Sequence, residues 1–164
     1  MNLLYELKIS MFKPHLYHKF KDQPFGKLLK FDFLVAITGF IFFMFMKAIK
    51  GVIYGNFSSV INYYITFDVA TILGIILYSA IGTAITALFL SFLFLGYNKF
   101  KHINNMSFSS IYNYATHTLL IAIFIGNLMG PFVILFILGY YIMAVKGDLL
   151  NAQDGVSPLK YLRN

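Results

Sequence analysis

His117 lies inside a long apolar run, in the stretch Tyr112-Asn113-Tyr114-Ala115-Thr116-His117-Thr118. An imidazole there is expensive to bury, and such groups often line ion paths or proton relays. Asn113 lies one helical turn earlier on the same face, and Thr116 is the preceding residue, so the three form a candidate intramembrane polar site. No carboxylate lies in the same span, and the plainer use of His117 is as a neutral ring that fixes helix packing. His15 and His18 have a three-residue spacing that suits a metal pair only with further ligands. Pro14 precedes them, cysteine is absent and no acidic cluster completes a site, so no metal and no cofactor is expected.

Enzyme signatures are missing. The chain has no paired carboxylates in a span, no glycine-rich phosphate loop, no zinc-protease helix motif and no Gly-x-Ser-x-Gly elbow. The expectation is a protein that is not an enzyme and has no catalytic residues. The formal charge of +7 comes from lysines that flank apolar runs and form no solvated face, which argues for anionic lipid headgroups as partners and against nucleic acid.

The elements that must hold these residues are membrane helices. Hydrophobic residues make up 59% of the 164-residue chain and charged ones only 12%, against about a quarter in soluble domains. A helix rises about 1.5 Å per residue and a bilayer core is about 30 Å thick, so about twenty apolar residues cross once. Four spans are expected, at about 28–49, 70–97, 108–127 and 131–146, giving an all-α integral membrane bundle. The last two share an apolar stretch from Ile103 to Val145 that is too long for one crossing, and Gly126 to Pro131 writes a hairpin into it. Residues 51–67 are polar and aromatic and read as interfacial, with a surface-lying or re-entrant helix from about Ser58; a fifth span within 52–75 is the main alternative. Asp22, Asp32, Asp68 and Asp148 read as markers of the water boundary.

Residues 1–27 form a separate basic segment, 28–148 the membrane domain and 149–164 a polar tail. The start has no h-region or cleavage site and is expected to be retained. Leu3, Leu4, Leu7 and Met11 recur at helical spacing, which predicts a short amphipathic helix lying on the membrane surface and ending before Pro14. Lys8, Lys13, Lys19, Lys21, Lys27 and Lys30 are the expected headgroup contacts. With four spans, eleven of the thirteen Lys and Arg residues share one side, which predicts that both termini are cytoplasmic. In the second span Ser79, Gly82, Thr83 and Thr86 form a small-residue stripe for close helix packing, within the monomer first and in a homo-oligomer second.

Met11-Phe12-Lys13-Pro14 in the basic segment, Ser107-Phe-Ser-Ser-Ile-Tyr-Asn-Tyr-Ala115, Gly130-Pro131 and Leu138-Gly139-Tyr140-Tyr141 give this layout a similarity to the Yip (Ypt-interacting protein) superfamily and its prokaryotic relatives, mainly over residues 105–147. The resemblance implies a helical membrane protein, commonly of five spans, and in eukaryotic relatives a role in vesicle trafficking with small GTPases. It carries over no catalytic residues. Two functions therefore follow: a scaffold or accessory subunit holding anionic lipid or a cytoplasmic or membrane-protein partner, and a small transporter or channel component with a polar path near His117. Sealing of the His117 ring by neighbours would remove the main support for the second.

Overall fold

The computed structural model describes residues 2–104 and 106–156, and the last eight positions of the polar tail lie outside that range. It is built from helices, with no strand among the described residues. Helix α1 (Leu3–Phe12) leads through a 3-10 segment (Pro14–Phe20) into α2 (Phe25–Ile53). Then follow the short α3 (Phe57–Ile65), α4 (Val69–Phe100), α5 (Phe108–Met129), a 3-10 turn (Gly130–Phe132) and α6 (Val133–Val156). Four of these are long and apolar enough to cross a membrane: α2, α4, α5 and the unit from Gly130 to Ala152. This is an integral membrane protein with an all-α bundle. At nine residues α3 is far too short to be a fifth span.

Local signals set the ends of these helices. Pro24 stands at the N-cap of α2. Asp68 caps α4 by accepting from the Thr71 amide at 2.7 Å, and hydrogen bonds from the Thr71 hydroxyl and amide hold its carboxyl below the usual range. Ser107 caps α5 through the Ser110 amide. The hairpin turns at Gly130, whose φ of +54° favours glycine, with Pro131 in the first turn that follows. Helix α4 runs unbroken through Gly74 and Gly82 for 32 residues, about 48 Å.

Helix α5 is the centre of the molecule. Every residue from Asn113 to Ile121 is buried, although α5 is the least apolar of the four spans. Its polar side chains are tolerated because α1, α2, α4, α6 and the 3-10 segment surround it and protein, not lipid, meets them. Helix α4 is the reverse, apolar all round and exposing Leu77, Ile81, Phe89 and Leu93 toward the bilayer. The main core joins Phe94, Tyr114 and Tyr141 to Tyr17 and Phe20 of the 3-10 segment, with the Phe94 and Tyr141 rings stacked at 3.7 Å. At the other end α3 folds back on α2, where Val60 packs against Gly51, Lys47 lies over the Tyr63 ring and Tyr64 donates to the Met44 carbonyl.

Three sequence expectations change here. The small-residue stripe on α4 is rotated: Ala80 and Ala87 are buried and Thr83 half-buried, whereas Gly82 and Thr86 face outward. Hydroxyls on an apolar helix need no neighbour, since Thr83 donates to the Ala80 carbonyl and Thr86 to that of Gly82. Ser79 and Thr83 line a pocket of about 320 Å³ against α2 and α5. Asp32, expected at the water boundary, is buried against protein: α2 begins at Phe25, leaving Asp32 two turns inside and only 4% exposed. Finally, α1 does not lie free of the bundle. It packs on α5 and turns Glu6, Ile9 and Ser10 inward.

Candidate functional site

The inward face of α1 meets His117, and the two together form a buried polar cluster. The spacing of Glu6, Ile9 and Ser10 puts all three on one side of α1, which the Asn2 side chain caps through the Leu4 amide. Ser10 Oγ lies 2.9 Å from His117 Nδ1 and 2.8 Å from the Glu6 carbonyl oxygen. On the other side of the ring, Glu6 Oε1 is 3.5 Å from His117 Nε2, and Glu6 Oε2 is 3.6 Å from Lys27 Nζ. Glu6, Ser10 and His117 are all fully buried.

Aromatic rings close the site. Phe20 and Phe31 lie 4.2 and 4.3 Å from the imidazole by centroid, and Tyr17 lies at 5.6 Å. The single Tyr17 hydroxyl proton goes to the Ser10 carbonyl at 2.7 Å or is shared with the His117 carbonyl at 3.3 Å, which holds the 3-10 segment where α1 meets α5. Burial, followed by the nearby Tyr140, pushes the Tyr17 phenol well above its usual range, so it remains a protonated donor. Asn113 Nδ2 donates to the carbonyls of Phe20 and Lys21, both at 2.9 Å. Tyr140 of α6 donates to the Met11 carbonyl at 2.6 Å, Lys21 pairs with Asp148 at 2.9 Å, and Gly147 lets the His15 backbone lie directly against α6.

Proton bookkeeping narrows what this cluster can be. If the single Ser10 proton goes to the Glu6 carbonyl, Nδ1–H must donate to Ser10, and Nε2 then needs a proton between itself and Glu6. If Ser10 donates to Nδ1 instead, Nε2–H faces the carboxylate. The second arrangement has the connectivity of a Ser-His-carboxylate set, but a nucleophile must meet its substrate, and Ser10 is fully buried against an imidazole that Phe20, Phe31 and Tyr17 enclose. As packed, the cluster joins the N-terminal segment to the bundle.

The candidate polar residues are therefore brought together: His117 and Asn113 both bind the N-terminal segment, and Thr116 is buried beside them. The expected headgroup lysines divide. Lys8, Lys13, Lys19 and Lys30 are exposed, whereas Lys21 and Lys27 are turned to Asp148 and Glu6. The structure places His15 and His18 in the 3-10 segment, where His18 Nδ1 contacts the His15 carbonyl at 3.2 Å. Glu6, Ser10 and Tyr17 escaped the sequence reading because His117 lies a hundred or more positions away. One signal was available: Glu6 is the only acid before Asp22 in a lysine-rich stretch. No protein-family model, curated protein or solved structure matches the chain at a significant level.

Proposed function

We propose that this protein is a non-enzymatic membrane scaffold or accessory subunit whose docked N-terminal cap presents lysines to anionic headgroups. The cap is α1 with the 3-10 segment, and both termini are cytoplasmic. The observation that carries this reading is the closure of His117 by the cap itself. A ring enclosed by Phe20, Phe31, Tyr17, Ser10 and Glu6 supports anchoring more than conduction. Lys8, Lys13, Lys19 and Lys30 meanwhile remain exposed at the same end of the bundle. Each lysine near an anionic surface contributes about 1 kcal/mol of attraction. A trafficking-like role, implied by the Yip resemblance, is one form such a scaffold takes.

The test compares lipid retained by the purified protein with that retained by a variant carrying Lys8→Gln, Lys13→Gln, Lys19→Gln and Lys30→Gln. Native mass spectrometry after extraction from mixed phosphatidylcholine and phosphatidylglycerol bilayers should show fewer retained phosphatidylglycerol molecules on the variant. Equal retention by the two proteins would refute the lysine role.

A further inference from the structure

A buried, unpartnered carboxylate opens on an apolar groove between α2 and α4. Asp32 is 4% exposed, and its Oδ1 has no hydrogen-bond donor among the described residues. It forms no ion pair among them either, since Lys27 is turned to Glu6 and Lys21 to Asp148. The pocket it lines, about 300 Å³, is otherwise walled by apolar side chains such as Leu29, Phe33, Leu77 and Ile81. Ala84 and Ile85 are shared with an adjoining pocket of about 490 Å³ that reaches Gln23, Ser109 and Tyr112 at the cap end. Both volumes fall in the range of about 300–1,000 Å³ typical of small-molecule sites. Leu77, Ile81 and Ile85 are each at least half exposed, so the groove opens sideways to the acyl chains.

A carboxylate in such a place is costly unless something pairs with it. A hard metal ion would need about six oxygen ligands, and among the described residues Asp32 is the one carboxylate lining the groove. An ammonium on a hydrocarbon body meets both demands, because it donates a charge-assisted hydrogen bond to the carboxylate while its chain covers the apolar walls. We propose that the α2–α4 groove is a binding site for a lipophilic amine, its nitrogen on Asp32 and its body along Leu29, Phe33, Leu77 and Ile81. The site is independent of the scaffold reading, since none of the exposed cap lysines lines it.

The probe is a long-chain primary amine carrying a diazirine, compared with the alcohol of the same chain, on the full-length protein in phosphatidylcholine nanodiscs. Labelled peptides are mapped by mass spectrometry. The amine should label the walls at 29–33 and 77–85 about tenfold more than the alcohol, the difference expected from one charge-assisted hydrogen bond. Asp32→Asn should lower amine labelling to the alcohol level, and Ala84→Leu, which narrows the groove, should reduce both. Equal labelling of the wild type by amine and alcohol, or undiminished amine labelling of a folded Asp32→Asn protein, overturns the proposal. If Asp32→Asn does not fold, the wild-type amine-to-alcohol ratio decides alone.

Discussion

Asn113→Ala should loosen the N-terminal cap without unfolding the bundle. Asn113 Nδ2 supplies both of its hydrogen bonds to the cap, at the Phe20 and Lys21 carbonyls. Each such bond contributes about 0.5–1.5 kcal/mol net, so losing two costs about 2 kcal/mol. The Phe20 carbonyl keeps its bond from the Gln23 amide, which holds the loss near that figure. At about 1.4 kcal/mol per factor of ten, the equilibrium for cap opening should rise about thirtyfold. Hydrogen exchange of the peptide spanning residues 3–20, followed in nanodiscs, reads that equilibrium directly through local opening. Ser91→Ala is the control, since its buried hydroxyl bonds only the Ala87 carbonyl of its own helix and should leave cap exchange unchanged. Cap exchange within about threefold of wild type in Asn113→Ala, a difference under 1 kcal/mol, would refute the view that these bonds hold the segment in place.

Gly147→Ala should release the same segment by another route, because its new methyl would collide with the His15 backbone; exchange of residues 14–20 should rise and the melting temperature fall. Glu6→Ala should destabilise the cap more than Glu6→Gln, which keeps an oxygen near His117 Nε2 and Lys27, and equal melting temperatures for the two would contradict that. Gly130→Ala should cost about 1–2 kcal/mol because φ is +54°, whereas Gly82→Ala, in open space on a helix, should be neutral or stabilising by thermal denaturation. Cysteine at position 127 should react with a membrane-impermeant maleimide on intact cells; reaction only after permeabilisation would reverse the proposed orientation.

The sequence by itself determined the membrane class and the four spans, and it placed the starts of the second and third to within a residue. These follow from local physics: uncharged length against bilayer thickness, and Gly130-Pro131 as a turn. It also marked His117 and Asn113 as the polar residues to explain, because their cost in lipid is visible in any helix that carries them. Tertiary structure decided what they are for. Helix α1 has apolar residues on one face and Glu6 with Ser10 on another, and periodicity predicts that the leucines are buried when the alternative is water. In the fold the face carrying Glu6, Ile9 and Ser10 turns toward His117, because a buried imidazole needs polar partners, while Leu7 and Met11 pack beside Phe31 and Val35. On α4 the hydroxyls of Thr83 and Thr86 are satisfied within their own helix, so neither needs a polar neighbour, and Ala80 and Ala87 supply the close contacts. Inside a bilayer hydrophobicity sets the spans, while polar pairing across distant helices sets which faces meet, and that pairing is not written in local spacing.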